Sequence, residues 1–392
     1  MLRRWINRLT EAFRKGDLVL LLLCVVATAF GCLIIASATN ASNVGPGRYL
    51  LVQIGASLAG VFSYILMSSF NMDALSERRR FWTVGNLLLL AMLVPFGVTV
   101  NGNRSWLHFP FLPFNIQAAE ICKITFIIII ASVMTAHQSK PSSPKAVFHL
   151  AAHLLLLFVV NYLISNDMGV SLIFVFIFVG MTFSGGVGLF WFAIIIAAAI
   201  VVVPIGWNML PDDNYMKTRI AVLFDPSLDP DGTGVLYQTF RALRSLTGGG
   251  LTGQGLFQGH HTQTNGALFA QHTDFIYCVI GEELGFVGCA AVLLLLCVII
   301  GRCIWVGLRS PDTLRRLVCF GVASALIFQV IVNVGMCIGV MPVIGLTLPF
   351  ISYGGSSIIT LYAMLGLVSG IYAHPTPTSQ ERYIRPPLQT LM

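Results

Sequence analysis

Apolar stretches about as long as a membrane is thick recur roughly ten times along the chain, with short polar segments between them. A helix needs about 20 predominantly apolar residues to cross the hydrocarbon core of a bilayer. The apolar stretches cover residues 18–37, 49–69, 82–100, 117–136, 148–165, 168–184, 187–208, 274–301, 315–338 and 352–373. This pattern predicts an all-α polytopic integral membrane protein with about ten transmembrane helices, which form a single transmembrane domain over residues 1–373.

Two polar regions interrupt or follow this pattern. A large loop at about 209–273 separates the seventh and eighth predicted spans, and residues 374–392 follow the last span. The prolines and polar side chains of residues 374–392 predict a short disordered cytoplasmic tail. At the other end, the cations before Leu18 resemble the start of a signal peptide. The apolar run after them is long enough to span, so we expect an uncleaved first transmembrane helix.

Composition and charge narrow the class of protein. Hydrophobic residues make up 56% of the chain and charged residues 10%, whereas a soluble domain carries about 25% charged residues. The net charge of +7 is spread over short loops, a distribution that argues against a nucleic-acid-binding face. The nine cysteines are scattered through apolar runs without a Cys-X-X-Cys pair, which argues against a disulfide framework.

The distribution of Lys and Arg predicts the orientation in the membrane. The termini and the loops on their side carry most of the cations, including Arg78, Arg79 and Arg80. The opposite loops carry few cations outside the large loop. Cytoplasmic loops are enriched in Lys and Arg, so both termini are predicted to be cytoplasmic and the large loop extracytoplasmic. A substrate bound there would be extracytoplasmic, where ATP is not available.

The strongest candidate for chemistry is Asp274, which follows His272 and Thr273 where the large loop enters an apolar run. An acidic residue is costly at such a place and therefore indicates a site of chemistry or transport. The glycine-rich stretch at 247–259 lacks the Gly-Lys-Ser/Thr of a phosphate-binding P-loop. Its glycines allow sharp turns or a close approach to a ligand, and we expect a mobile loop that closes over substrate.

Two further polar features lie at membrane depth. Glu282 and Glu283 follow Asp274 by about two helical turns, and at that depth they must be paired or protonated. The segment from Pro342 to Ser357 contains two prolines and a Gly-Gly-Ser-Ser run, which predicts irregular backbone. Such backbone persists at membrane depth where protein covers it or where it lines a cavity.

Residues of the second outward loop and the next two spans are candidates for binding a ligand. Arg104 and Lys123 are cations suited to a phosphate group. Glu120 shares a helix face with Lys123, so the two are alternatively a neutralised structural pair. Trp106 is either an interfacial residue or a stacking platform for a sugar. Asp167 is either an ordinary helix cap or a site residue.

The histidines do not indicate a metal site. His260 and His261 are expected in a flexible loop, and no helical spacing brings them together with His272. The pair at positions 149 and 153 in the fifth span lacks a third ligand. We therefore predict no metal site built by the protein.

Several stretches together resemble the SEDS family (shape, elongation, division and sporulation), which contains RodA-, FtsW- and SpoVE-type proteins. The matching stretches are Phe224-Asp-Pro-Ser-Leu-Asp-Pro, Gly248-Gly-Gly-Leu-Thr-Gly-Gln-Gly, His272-Thr-Asp-Phe-Ile, Gly281-Glu-Glu-Leu-Gly-Phe-Val-Gly and Leu348-Pro-Phe-Ile-Ser-Tyr-Gly-Gly-Ser-Ser. The resemblance covers nearly the whole chain and leans toward the RodA-like elongation branch. The chain departs from the family pattern at Ser105, where a second basic residue is common, and at Asn166, where Pro is frequent.

The resemblance implies a peptidoglycan glycosyltransferase that polymerises lipid II, an undecaprenyl-pyrophosphate-linked disaccharide, at the outer face of the bacterial cytoplasmic membrane, in cell elongation or division. The family's essential Asp matches Asp274, and its Arg, Trp, Glu and Lys match the candidates in the second outward loop and fourth span. His272 and Ser356, which lie in matching motifs, are further candidate substrate-binding residues. The expected partners are a class B penicillin-binding protein and other elongasome or divisome proteins.

The chemistry of such a reaction fits these residues. A carboxylate can deprotonate a sugar hydroxyl, and cations can accept the charge of a departing pyrophosphate. A single displacement would invert the anomeric carbon. Mg²⁺ or Mn²⁺, held mainly by pyrophosphate, is an expected cofactor. Two alternatives are a lipid II flippase, with polar residues along a path, and a scaffold without catalysis, which would tolerate loss of Asp274.

Overall fold

The computed structural model describes residues 9–376 apart from 12, 42–44, 101, 111, 113, 210, 212–214, 230–233, 235 and 265–267. Part of the large loop, including Asp212, Asp213 and Asp231, therefore lies outside the described residues. So do residues 377–392, which make up most of the predicted disordered tail. The other predicted elements can be compared with the structure.

Eight helices are long and apolar enough to cross a membrane within the described part of the chain. They are α1 (Leu18–Ala38), α2 (Pro46–Ser68), α6 (Ala118–Ala136), α7 (Pro144–Ser165), α9 (Leu189–Met209), α12 (Ile276–Arg309), α13 (Thr313–Cys337) and α14 (Gly355–Ala373). Shorter helices occupy the other two predicted positions: α8 (Met168–Ser184), and α4 (Arg79–Ala91) with α5 (Leu93–Phe96). A short helix α3 (Met72–Glu77) precedes α4. The prediction of a multi-pass, mainly helical membrane protein is confirmed.

The predicted third span is wrong at its outward end. Residues 97–100 form strand β1 (Gly97–Val100), which pairs antiparallel with β2 (Asn103–Leu107), and β2 pairs with β3 (Ile116–Gln117). The β-branched residues of β1 favour a strand, and the turn that follows contains Gly102 at a φ of 84°. A small three-stranded sheet therefore covers the ends of neighbouring helices and carries Arg104 and Trp106.

The centre of the bundle consists of α6, α13 and α14, whose residues are mostly buried. Close approach of α14 to α2 depends on glycine: a Cβ at Gly366 would lie 2.4 Å from the carbonyl oxygen of Tyr64, and one at Gly370 would lie 2.8 Å from that of Ser68. Small residues allow helices to pack closely in membranes, where the hydrophobic effect does not drive helices together. In contrast, α9 has no buried residue and lies at the periphery.

The described part of the large loop is folded rather than extended. It contains α10 (Tyr215–Phe224), a 3₁₀ turn at Pro226–Leu228 and α11 (Leu236–Gly248), and α11 packs on α12. The expectation of a mobile glycine-rich loop is wrong for residues 249–255, which are hydrogen-bonded to α12. The amides of Gln254 and Gly255 donate to the carbonyl oxygens of Glu282 and Glu283 at 2.9 and 3.0 Å.

A break in α12 makes this contact possible. Gly285 has φ 66° and ψ −164°, which interrupts the helical hydrogen bonds around it. The amides of Phe286 and Val287, beyond the break, donate to the carbonyl oxygens of Gly250 and Leu251 at 2.9 and 3.1 Å. The glycine-rich segment thus satisfies backbone groups that the break frees, as membrane interiors require.

The two carboxylates beside the break are also satisfied by the loop. Glu282 is 0% exposed and accepts hydrogen bonds from the backbone amides of His261 and Thr262 at 2.8 and 2.9 Å. Glu283 is equally buried and accepts from the Ser37 hydroxyl at 2.6 Å and the Gln263 amide group at 3.2 Å. Both acids, which were predicted to be paired or protonated, therefore have hydrogen-bonding partners in the folded loop and α1.

We expect Gly253→Ala to lower the thermal stability of the protein. Gly253 has a φ of 81°, and a Cβ there would lie 2.1 Å from the carbonyl oxygen of Glu283. The left-handed conformation alone costs a residue with a Cβ about 1–2 kcal/mol. The melting temperature in detergent should fall clearly, whereas Gly301→Ala, with nothing within 4 Å of its Cβ position on α12, should not lower it. Equal melting temperatures for both variants would contradict the packing of this segment.

Candidate functional site

Asp274 lies just before α12 and is held through its backbone. Its amide donates to the carbonyl oxygen of Ala270 at 3.0 Å. Its own carbonyl oxygen accepts a 2.8 Å hydrogen bond from the side-chain amide of Asn333 on α13. The same amide group donates to the carbonyl oxygen of Leu346 at 2.7 Å. Through these two hydrogen bonds, Asn333 connects Asp274 to the irregular segment that follows α13.

The irregular segment between α13 and α14 holds the residues before Asp274 as well. The Ser352 hydroxyl donates to the carbonyl oxygen of Thr273 at 2.6 Å, and the amide of Tyr353 donates to that of His272 at 2.9 Å. The amide of Leu348 donates to the Ser352 hydroxyl at 2.8 Å. The prediction of irregular backbone here is confirmed, and its polar groups are used to position the His-Thr-Asp stretch.

The side chain of His272 belongs to an aromatic cluster. Its ring centroid lies 4.9 Å from that of Tyr49 and 5.6 Å from that of Tyr353, and the two tyrosine rings are 5.2 Å apart. Burial lowers the pKa of His272, so the ring is neutral near pH 7. A neutral, packed imidazole two residues from Asp274 offers a flat polar surface beside the carboxylate.

The carboxyl group of Asp274 has a raised pKa of about 6, compared with 3.8 for an ordinary Asp. Burial is the largest cause of the increase, and the negative charge of Asp167 adds to it. A hydrogen bond from Thr273 and the positive charge of Arg219 act in the opposite direction. Arg219, on α10, also donates a hydrogen bond to the carbonyl oxygen of Val343. A carboxyl group with this pKa is ionised at pH 7 but is a stronger base than an exposed Asp.

Asp167 caps α8 and also contacts the small sheet, while a role in binding a ligand stays a prediction. Its Oδ1 accepts from the amide of Val170 at 3.2 Å, which caps α8. Its Oδ2 accepts from the Ser105 hydroxyl at 3.0 Å and from the Gln117 side chain at 3.4 Å. Burial raises the pKa of Asp167, while these hydrogen bonds lower it. The small sheet, α8 and Asp274 are therefore linked electrostatically through one buried carboxyl group.

Ser356 lies near the start of α14 and is buried. Its hydroxyl accepts a hydrogen bond of 3.4 Å from the backbone amide of Gln117. Because the Gln117 side chain contacts Asp167, Ser356 is connected to the same polar network. Ser356 is thus buried within the polar network around Asp167, and its role in binding substrate stays a prediction.

Glu120 and Lys123 form a buried ion pair. The Lys123 ammonium group lies 2.7 Å from Glu120 Oε1, with the residues 0% and 3% exposed. The hydroxyl of Thr360 on α14 donates to the other oxygen of Glu120 at 2.8 Å. This geometry supports the structural alternative for the pair, since the charge of Lys123 is already neutralised and covered.

Arg104 and Trp106 both lie on β2. The Arg104 guanidinium is exposed and donates to the carbonyl oxygens of Val94 and Gly97 at 2.6 and 3.3 Å. Trp106 is half-buried and opposite Val98 in the sheet. Their neighbour Ser105 reaches Asp167, so this strand connects an exposed cation to the network around Asp274.

Sequence reasoning missed several residues that build this site. Asn333, Gln117 and Tyr49 act through hydrogen bonds or ring packing across distant parts of the chain, and none of the motifs quoted above contains them. Ser352 lies in the motif that begins at Leu348, but its contact with Thr273 depends on the tertiary structure. Arg219 was visible as a charge in the large loop, but its approach to Asp274 depends on how α10 folds back. No group of three or more His, Cys, Asp or Glu side chains that could hold a metal ion occurs within the residues that the structure describes.

A family model described as "Cell cycle protein", that of FtsW, RodA and SpoVE, matches residues 17–376. The chain therefore belongs to the FtsW/RodA/SpoVE family, as its motifs indicate. It is 32% identical over 390 residues to the probable peptidoglycan glycosyltransferase FtsW of Acinetobacter baylyi, covering 97% of this chain and 94% of the relative. It is 30% identical over 362 residues to the peptidoglycan glycosyltransferase MrdB of Escherichia coli, covering 91% and 94%.

Solved structures have the same fold. The rod shape determining protein RodA of Thermus thermophilus matches with a TM-score of 0.65 and 26% identity, covering 91% of this chain and 96% of that one. A chain from work on "Structural coordination of polymerization and crosslinking by a peptidoglycan synthase complex" matches with a TM-score of 0.74 and 28% identity, covering 92% and 98%. Because relatives named FtsW and MrdB match about equally well, the elongation branch stays a prediction.

We expect Lys123→Met to destabilise the protein and Glu120→Gln/Lys123→Met to restore most of the loss. Removal of one partner leaves a buried charge, which typically costs about 3–5 kcal/mol, whereas replacing both partners is often nearly neutral. Thermal unfolding in detergent would measure the difference. If Lys123→Met has the melting temperature of the unmodified protein, the pair is not structural and Lys123 becomes the stronger candidate for binding an anion.

Proposed function

We propose that this protein polymerises lipid II into peptidoglycan glycan strands at the outer face of the cytoplasmic membrane, with Asp274 as the general base. The observation that carries the proposal is the setting of Asp274. Its backbone is fixed by α13 and by the irregular segment, and its carboxyl pKa is raised to about 6. Membership of the family and the names of relatives support the glycosyltransferase activity in cell wall synthesis.

In the proposed reaction, Asp274 accepts the proton of the acceptor sugar's 4-hydroxyl. The oxygen attacks the anomeric carbon of the donor, and the bond between that carbon and the pyrophosphate oxygen breaks. The pyrophosphate leaves with the electron pair, and the configuration of the anomeric carbon inverts. A carboxylate with a pKa near 6 serves this step well, since catalysis is favoured when the pKa of the base lies near the working pH.

The leaving pyrophosphate requires positive charge. Arg104 is the best-placed candidate, because its guanidinium is exposed on the outward sheet while Ser105 next to it contacts Asp167. Arginine binds phosphate oxygens in a bidentate manner. Trp106, beside it on β2, is proposed to contact a sugar ring. Lys123 remains a candidate, but its buried pair with Glu120 supports an indirect role.

A divalent cation is proposed as a part of the substrate complex rather than of the protein. The described side chains offer no cluster of three suitable ligands, so they do not fit a metal cage. Mg²⁺ binds well through one or two carboxylates together with substrate phosphates. We therefore propose that Mg²⁺ or Mn²⁺ is held mainly by the pyrophosphate of lipid II.

We further propose that the protein works with a class B penicillin-binding protein and other elongasome or divisome proteins. The likeness to a chain of a peptidoglycan synthase complex supports this partnership. Its proposed location is the bacterial cytoplasmic membrane with both termini cytoplasmic, which the distribution of Lys and Arg supports. Asp274 would then face the outer leaflet, where lipid II is presented.

The described acidic residues at membrane depth argue against a transport path. Glu120 is paired with Lys123, while Glu282 and Glu283 accept hydrogen bonds from the folded loop. Carboxylates that serve as structural acceptors are not free to exchange partners with a passing headgroup. The flippase alternative therefore has less physical support than catalysis at Asp274.

Asp274→Asn should abolish most glycan synthesis while leaving the fold intact. The amide preserves shape but cannot accept the proton, and general-base assistance is worth about 10²–10⁴-fold. The measurement is polymerisation of purified lipid II by the purified protein together with its cognate penicillin-binding protein. Parallel reactions omit that partner or contain excess chelator. Glu11→Gln, an exposed carboxylate beside Lys15, is the control. Near-normal synthesis by a well-folded Asp274→Asn protein would defeat the mechanism and revive transport or scaffolding.

The dependence of kcat/KM on pH should show an acid limb near pH 6, because a general base is active only when deprotonated. Asp167 contributes to the raised pKa of Asp274. Asp167→Asn removes that negative charge, so the pKa of Asp274 should fall and the acid limb should move to lower pH. An acid limb that stays in place or moves to higher pH would show that Asp167 does not influence the base.

A further inference from the structure

Three histidines meet at the end of the bundle opposite Asp274. His137 follows α6, and His149 and His153 lie in the first half of α7. Nε2 of His137 and Nδ1 of His149 are 3.3 Å apart, and Nδ1 of His153 lies 2.9 Å from the carbonyl oxygen of His149. All three are half-buried. One ring of this pair donates to the other, so the N–H between them is used within the pair, and the ring that accepts keeps its one N–H on its other nitrogen.

Two permanent cations accompany these rings. The charges of Arg79, at the start of α4, and Lys145, at the start of α7, lie within electrostatic reach of both His137 and His149. Burial lowers the pKa of His137, and these two charges lower it further. The basic end cluster, as we call it, therefore consists of Arg79, His137, Lys145, His149 and His153.

The helices that form this cluster carry almost no negative charge. Glu120 is the one acidic residue in the sequence from Arg78 to Asn166. Glu120 lies in the first turn of α6, whereas His137 follows the end of that helix. Because a 19-residue helix is about 28 Å long, Glu120 is far from the histidines. Arg78, Arg80 and Lys140 add further positive charge at the same end. Glu77, which ends α3 directly before Arg78, is the nearest acidic residue along the chain. Arg79 and the three imidazoles are half-buried and Lys145 is exposed. This excess of positive charge suits an external anion.

The surface next to the cluster suits a lipid. On α4, Phe81 and Leu88 are 64% and 63% exposed, and on α7, Phe148 and Leu155 are 78% and 58% exposed. These apolar side chains continue from the basic end cluster along membrane-spanning segments. Basic pockets between transmembrane helices bind anionic headgroups, and an apolar surface alongside can take acyl chains.

We propose that the basic end cluster binds the phosphate headgroup of an anionic membrane lipid in the leaflet opposite Asp274. Arg79 and Lys145 supply the charge, and the accepting ring of the His137–His149 pair supplies one directed hydrogen bond from its other nitrogen to a phosphate oxygen. The acyl chains lie along the exposed apolar side chains of α4 and α7. This site does not depend on the proposed reaction at Asp274.

Native mass spectrometry of the full-length protein in detergent tests this proposal. The probes are phosphatidylglycerol and phosphatidylcholine with identical acyl chains, and sn-glycerol 3-phosphate serves as a soluble competitor. We expect preferential retention of phosphatidylglycerol. Arg79→Gln/Lys145→Gln should weaken this retention roughly tenfold or more, since each surface cation contributes appreciably to binding of anionic lipid. The charge-retaining Arg79→Lys/Lys145→Arg should bind nearly as the unmodified protein does.

The matched control removes two cations elsewhere at the same end, Arg14→Gln/Arg309→Gln, and should change retention less than twofold. Should the first variant fail to fold, His149→Ala provides a second test and should also weaken retention. Equal retention in all variants, or equal loss in the control, would overturn the proposal. Displacement by sn-glycerol 3-phosphate at concentrations similar to those of the lipid would show a site for free phosphate and also overturn the lipid assignment.

Discussion

The break of α12 at Gly285 is the constraint on which the half of the molecule that contains Asp274 depends. A break at membrane depth frees backbone groups that cannot be left without partners. The glycine-rich segment supplies these partners by hydrogen-bonding to residues on both sides of the break. Only residues without a Cβ fit so closely, as the 1.9 Å between a Cβ at Gly249 and the carbonyl oxygen of Gly281 illustrates. A loop that looks flexible by composition is thereby fixed.

The two buried glutamates extend this attachment. Each carboxyl group at the break accepts hydrogen bonds from the residues that follow the glycine-rich segment, and Glu283 also reaches α1 through Ser37. A buried carboxyl group that accepts several hydrogen bonds does not destabilise the fold, whereas a buried donor left without its acceptor lowers the stability of the folded protein. The large loop, α1 and α12 are therefore joined at one place, about two turns below Asp274.

Asp274 itself is positioned from the other side. Asn333 holds its backbone, and the irregular segment holds the backbone of the two residues before it, His272 and Thr273. The ring of His272 packs against those of Tyr49 and Tyr353. Its carboxyl group is influenced by Asp167 and Arg219, which come from different elements. The site thus combines a rigid backbone with a carboxyl group whose basicity is set by burial and by distant charges. Such preorganisation is what a general base requires.

The sequence by itself determined the membrane class, most span positions and the irregular segment after α13, because length, hydropathy and motif residues are local properties. It also singled out Asp274, whose catalytic role stays a prediction. It also indicated that Glu282 and Glu283 need partners. It could not show that residues 97–100 leave the membrane as a strand, because apolar β-branched residues suit both a span and a strand. Nor could it show which donors reach the glutamates, that Lys123 is covered by Glu120, or that Arg219 and Asp167 face Asp274. Those facts depend on contacts between residues far apart in the chain, which only the packing of the helices decides.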